Sequence, residues 1–245
     1  MNGIYKETLT LRPANCDMGQ AWKSSALLEA LQDTAGEHSR LLGLDRETLL
    51  RETGLIWVVS RLHVETTRTP LSGERIEIET YPTTPRHAFY PRYHILRGED
   101  GEQFGAACSL WMTIDCESRR AAKHEYVQER MPANAGLSPV CALPATVRPL
   151  GGEACRSAVT PQYTDLDVNM HVNNTKYLDW CCNALGLETM REHTLASFDI
   201  NYDSEVRPGM QIAASLTREG ERFSFFGESE QRRHFAIGGS LRPRP

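Results

Sequence analysis

The densest run of chemistry-bearing side chains in the sequence is Asp165-Leu166-Asp167-Val168-Asn169-Met170-His171-Val172-Asn173-Asn174. In an extended segment, Asp167, Asn169 and His171 at i, i+2 and i+4 project to one side, which brings a carboxylate, an amide and an imidazole together. Imidazole is the side chain best suited to proton transfer near neutral pH. The segment leads into a helical pattern with Asn173 or Asn174 as N-cap candidates, and the free N–H groups of a helix start can polarise a carbonyl or hold an anion. A plain capping loop would use the same residues, with Asp and Asn satisfying backbone donors and His171 packed at the helix start. Calcium is excluded, because Met170 stands where an EF-hand loop needs Gly and Lys176 where it needs Glu. A phosphatase-type Asp-x-Asp is excluded too, since Thr160 to Thr164 is no buried apolar strand.

An internal repeat bears on the choice between chemistry and capping. Asn15 to Ala21 aligns without a gap on Asp165 to His171, at an offset of 150 residues, and each copy leads into an amphipathic helix with Glu29 opposite Asp179. The first copy keeps Asp17 but has Gly19 and Ala21 where the second has Asn169 and His171. Capping alone would have favoured the same residues in both. The asymmetry points to one module that does chemistry and one that binds or supports.

The elements that must position these residues follow the same duplicated plan. A long helix is expected from about Ser24, through Leu27, Leu28, Leu31, Ala35, Leu41 and Leu42, and a shorter one through Tyr177, Leu178, Cys181, Cys182 and Leu185, stopped by Gly186. Strands are expected at 55–66, 75–81, 87–96 and 103–114, then at 197–206, 210–216, 223–227 and 234–237, separated by turn signals that include Pro208-Gly209, Glu219-Gly220 and Glu230-Gln231. Residues 130–153 are rich in Pro, Gly and Ala without a period and read as a linker. One helix and antiparallel strands, twice over, imply two α+β modules whose sheets are expected to pair back to back.

Composition narrows the function classes. The 245 residues are 40% hydrophobic and 24% charged, which is a globular balance, and 27 Lys and Arg against 32 Asp and Glu argue against nucleic acid as the main ligand. No signal-like leader or apolar stretch of ~18 residues stands out, so a cytoplasmic protein without membrane spans is expected. Seven cysteines with no Cys-x-x-Cys fit reduced core thiols rather than disulfides or a metal site, and nothing calls for a cofactor.

The cluster and several other segments carry a resemblance. Leu31 to His38, Leu55 to Arg61, Ser109 to Met112 with Arg119-Arg120, and Asp165 to Asn174 with Tyr177 and Trp180 are together similar to the acyl-acyl-carrier-protein thioesterases of plants and bacteria. The resemblance implies a double hot-dog fold, an N-terminal module (1–130) that binds the acyl chain, a linker (131–153) and a catalytic C-terminal module (154–245). It implies hydrolysis of fatty-acyl thioesters, with acyl carrier protein as partner and no cofactor. Catalytic roles carry over onto Asp167, Asn169, His171 and Glu205 of Tyr202-Asp203-Ser204-Glu205. Plant members have Cys after that Glu; Val206 stands here, so a Cys-His-Asn mechanism lacks its nucleophile.

Water attack is therefore expected, with His171 and Glu205 orienting and deprotonating it, Asn169 positioning the thioester or the water, and N–H groups near Asn173 and Asn174 holding the oxyanion. Asp167 would anchor the loop or the imidazole, or attack the thioester through an anhydride. Leu27, Leu31, Ile56, Trp57 and Val59 are the expected acyl slot, by family analogy. Arg86, Arg92, Arg97, Arg119, Arg120 and Lys123 could supply a basic face for an acidic carrier protein. An acyl-CoA thioesterase, a hydratase of the same fold and a non-catalytic acyl-thioester binder are the competing readings, and a homodimer is possible in any of them.

Overall fold

Alternation and turn punctuation place most strands where the sequence expects them, and the computed structural model describes residues 3–230 and 232–244. Met1, Asn2 and Pro245, at the outer ends of the two expected modules, and Gln231, in the expected Glu230-Gln231 turn, lie outside the described residues. The first half runs β1 (Tyr5–Thr10), α1 (Ser24–Leu41), α2 (Arg46–Thr53), β2 (Leu55–Thr66), β3 (Arg75–Pro82), β4 (Tyr90–Gly98), β5 (Gln103–Asp115) and α3 (Glu125–Arg130). The second runs β6 (Cys155–Val159), α4 (Lys176–Leu185), α5 (Leu187–Glu192), β7 (His193–Tyr202), β8 (Ile212–Glu219), β9 (Arg222–Ser229) and β10 (Arg232–Pro243). Both halves show one long helix against antiparallel strands, the α+β double hot-dog architecture. No helix among the described residues is long and apolar enough to cross a membrane.

The sheets are not back to back. They join edge to edge into a ten-stranded antiparallel sheet of order β1-β3-β4-β5-β2-β7-β10-β9-β8-β6, with β2 and β7 at the seam, from Arg61 opposite Asn201 to Glu65 opposite Ser197. Each module alone would leave a strand edge with unpaired N–H and C=O groups, and pairing the two edges satisfies both. Both long helices lie on one face of this sheet. Leu27, Leu28 and Leu31 of α1 share one core with Tyr177, Leu178 and Cys181 of α4 and with the strand residues Val64, Ile76, Ile200 and Phe225.

The outer face is covered as well, by residues 131–153, which contain neither helix nor strand. Leu137, Val140, Cys141 and Leu143 pack on Tyr81, Tyr93, Ile95 and Cys108, and Val147 packs on Phe226 and Ala236. Asn201 ties the segment down, accepting from Val147 N at 2.9 Å and donating to Ala145 O at 2.8 Å. The segment is a strap, which is why β4 is buried on both faces.

Five elements escaped the sequence pattern: β1, β6, α2, α3 and α5. β1 and β6 are short edge strands with mostly exposed side chains, and α2 is too short to show a period. Its ends were nonetheless written in the chain. Asp45 accepts from Thr48 N as N-cap, and Gly54 takes the left-handed conformation at φ 70° as C-cap.

Candidate active site

Leu166 to Val172 is a tight turn closed by a Leu166–Val172 bridge, not the extended segment expected. Asp167 builds it. Its N–H donates to His171 O at 2.8 Å, its O accepts from Met170 N at 3.0 Å, and its Oδ1 accepts from Asn169 N at 2.8 Å and His171 N at 3.3 Å. Met170 sits at φ 59°. The first copy repeats this bond for bond: Asp17 N to Ala21 O, Gln20 N to Asp17 O, and Asp17 Oδ1 from Gly19 N and Ala21 N, with Gln20 at φ 61°. An aspartate that makes the same bonds where no imidazole follows is a turn-former; Asp167 Oδ1 is used in this way, while Oδ2 meets only the Asn169 amide, at 3.4 Å.

What differs between the copies is what the turn presents. His171, a quarter exposed, points Nε2 at Glu205 Oε2, 3.3 Å away. Asn169 accepts at Oδ1 from Arg46 Nη2 at 2.9 Å, so α2 of the first module reaches the turn of the second. Glu205 lies beyond the end of β7, in a loop, not on the strand face shared by Asp199 and Asn201 as expected. Buried His234 sets that loop: its O accepts from Asp203 N and Ser204 N, Nδ1 lies 3.1 Å from Glu205 O and Nε2 lies 3.0 Å from Ser229 Oγ.

Glu205 is held from three sides. Arg119 Nη2 donates to Oε1 at 2.7 Å and Arg207 Nη2 to Oε2 at 2.9 Å, with His171 beside them. Burial pushes its carboxyl up, but the Arg207 and Arg119 hydrogen bonds and the His171 and Arg119 charges outweigh this and leave it below the ordinary value of 4.5. A carboxylate so stabilised is a poor proton acceptor and a good fixed anion. It can orient an imidazole and stabilise imidazolium.

The start of α4 supplies donors. Asn173 caps the turn before it: its N–H is spent on Asp165 O, and its Oδ1 accepts from Thr175 N and Thr175 Oγ1, so the N-cap itself is Thr175. The Asn174 N–H has no acceptor among the described residues and is the one of the two expected donors that can hold an oxyanion. Asn174 also lines a narrow cavity of about 30 Å³ with Leu31, Val59, His94, Trp111 and Tyr202. Of the residues expected to form an acyl slot, Leu31 and Val59 line this cavity. Ile56 does not line it, and Trp57 is a support instead, donating Nε1 to Leu44 O at 2.9 Å, which ties the segment between α1 and α2 to β2, and packing edge-on to Tyr90 of β4. Leu27 lines a different cavity.

The basic face is smaller than expected. Arg92 is buried under α1, hydrogen-bonded to His38 Nδ1, Thr80 Oγ1 and Ser39 Oγ, and burial lowers it to about 10. Arg97 is paired with Glu79 and Glu77. Arg92 is therefore out of a partner's reach, and Arg97 is already paired. Arg86, Arg119, Arg120 and Lys123 are exposed, and Arg119 belongs to the site itself. Sequence reasoning missed Arg46, Arg207 and His234; Arg207 alone had a local signal, two residues from Glu205. Of the cysteines, Cys181 is buried and Cys182 half-buried, both with thiols pushed up by burial, whereas Cys116 and Cys155 are exposed rather than core residues.

Comparison with known proteins places this geometry. Residues 2–129 match the family described as acyl-ACP thioesterase N-terminal domain, and residues 151–235 the acyl-ACP thioesterase C-terminal domain. A chloroplastic acyl-[acyl-carrier-protein] hydrolase of Cuphea viscosissima is 26% identical over 233 residues, 89% of this chain and 57% of its own length. A palmitoyl-acyl carrier protein thioesterase of Gossypium hirsutum is 27% identical over 215 residues, 82% of this chain and 52% of its own. The chain therefore spans little more than half the length of these curated relatives. Among solved structures, an acyl-ACP thioesterase from Bacteroides thetaiotaomicron aligns with TM-score 0.87 at 20% identity over 98% of both chains. The 12:0-ACP thioesterase from Umbellularia californica aligns with the same TM-score and identity, over 100% of this chain and 99% of its own.

Proposed function

The chain belongs to the acyl-acyl-carrier-protein thioesterase family, and from that premise we propose that it hydrolyses fatty acyl thioesters of the carrier protein to free fatty acid and carrier thiol, ending chain elongation. The observation that carries the reading is the His171 Nε2 to Glu205 Oε2 contact of 3.3 Å, together with an Asn174 N–H that has no acceptor among the described residues. His171 takes a proton from water as the oxygen bonds to the thioester carbon, with Glu205 as the fixed anion behind the imidazole. The carbonyl oxygen, now negative, accepts from Asn174 N–H. When the C–S bond breaks, His171 returns the proton to sulfur. Asn169, steered by Arg46, orients the water or the thioester, and Asp167 holds the turn.

Carrier protein as partner draws support from the arginines at the mouth. Arg46, Arg119 and Arg207 ring the site, with Arg120, Lys123 and Arg86 also exposed on the chain. An acidic carrier is attracted to such a rim. Seven free cysteines fit a reducing compartment, so a cytoplasmic setting is part of the proposal.

The test is thiol release from acyl-carrier proteins and matching acyl-CoAs over a range of chain lengths, with wild type beside His171→Ala. Faster turnover of the carrier substrates, lost in the variant, is expected. Preference for CoA would replace the substrate, and binding without turnover of any thioester would replace the enzyme with a binding module.

A further inference from the structure

The repeat that lost its imidazole kept a cavity. A space of about 460 Å³ opens between the start of α1, the end of α4, α5, and the facing ends of β2 and β7. It is the counterpart of the narrow cavity beside Asn174. The offset of 150 carries Asn174 and Thr175 onto Ser24 and Ser25, both in its wall. The antiparallel seam, centred on His63 opposite Asp199, carries Leu62 onto Phe198, Val59 onto Leu195 and Tyr202 onto Thr66, and these also line it. Two independent correspondences, one along the chain and one across the sheet, thus identify it as the acyl slot of the silent copy.

Its chemistry is that of a lipid site with an anionic end. The interior is apolar, with Trp22, Val64, Phe104 and Phe198 among its walls, and the volume lies within the ~300 to 1,000 Å³ of small-molecule sites. At the mouth, Arg244 is committed to Asp17 and to Met190 O, Arg68 to Glu74, and Asp179 to Lys176. Lys23 is exposed there and has no carboxylate partner among the described residues. Ser25 is 6% exposed, lines the cavity, and its hydroxyl makes no hydrogen bond among the described residues. The N–H groups of Ser24 and Ser25 open α1, an 18-residue helix with no acid in its first turn. An ammonium without a carboxylate partner, an accessible hydroxyl without a partner and the first N–H groups of α1 all line this apolar cavity, with Lys23 and Ser25 also bordering a second cavity of about 970 Å³, while Gly19 and Ala21 remove the groups that would act on a thioester.

We infer that this cavity is a second, non-catalytic site that binds a straight-chain fatty carboxylate, with the chain between α4 and the β2–β7 seam and the carboxylate at Lys23, Ser25 and the start of α1. The inference does not depend on turnover at His171, so the two can fail separately.

Equilibrium dialysis of the full chain against dodecanoate, kept below its micelle concentration, tests it. Saturable uptake is expected in wild type and in Leu31→Trp, which fills the other cavity. Lys23→Glu, a surface change that leaves the fold alone, is expected to weaken uptake at least tenfold. Met190→Trp, which fills this cavity, is expected to abolish it, with thermal unfolding as the check on folding. The inference is overturned by no uptake in wild type, by wild-type uptake in both Lys23→Glu and Met190→Trp, or by loss in Leu31→Trp alone. Dodecan-1-ol binding as tightly as dodecanoate would overturn the anionic end.

Discussion

Asp167 and His171 stand four residues apart and do different work. Because Asp167 is spent on the turn that Asp17 also makes, Asp167→Asn keeps an acceptor for Asn169 N and His171 N, and turnover is expected to stay within about tenfold of wild type. A nucleophilic carboxylate would instead show a loss beyond a thousandfold in the same thiol-release assay. His171→Ala is expected to lower kcat by roughly 10² to 10⁴. Glu205, whose carboxyl lies below its ordinary value, contributes stability that is present above about pH 4.5 and is lost only as pH falls through the depressed value. The melting-temperature gap between wild type and Glu205→Gln should therefore persist unchanged from pH 8 down to pH 5. The Asp-x-Asn-x-His run was legible because its residues are adjacent in sequence. Arg46 was not read as a site residue and Arg119 only as a docking residue, since they reach Asn169 and Glu205 across 123 and 86 positions and no local spacing encodes such a pairing.

At the scale of elements, periodicity was enough where a strand is long and one face is buried: β2 runs Leu55–Thr66 as expected. It failed at 203–206, which alternates like a strand although hydrogen bonds from Asp203 N and Ser204 N to His234 O turn it into a loop. It also failed for the strap, where Pro and Gly suggested slack chain and the tertiary contacts that hold it are invisible locally. Close approach of elements gives a sharp test. A Cβ on Gly239 of β10 would lie 2.2 Å from Ser197 O and 3.0 Å from Phe198 Cα on β7, both backbone atoms that cannot step aside. Gly239→Ala is expected to cost on the order of 3 kcal/mol in urea unfolding and to reduce soluble yield.

For the whole molecule, the seam between the modules carries a titratable group. His63 on β2 lies between Asp199 Oδ1 at 3.2 Å and Glu65 Oε2 at 3.3 Å, and the Asp199 hydrogen bond, against burial, raises it above the ordinary 6.5. The cation's contribution is therefore complete below about pH 6.5 and is lost as pH rises through the raised value. Wild type should lose more of its melting temperature between pH 6 and pH 8 than His63→Asn, and equal slopes would remove His63 from the seam's energetics. The duplicated plan was legible in the sequence; the edge-to-edge junction was not, because strand alternation does not encode which edges pair, and the outer face is covered by the strap rather than by the other sheet. The strap has a kinetic corollary. With helices on one side and residues 131–153 on the other, the amides of β4 exchange with solvent only when the whole chain opens, so they should be the last to take up deuterium. A single protease cut in the strap would free one face and let the same amides exchange through local opening, with the overall melting temperature little changed.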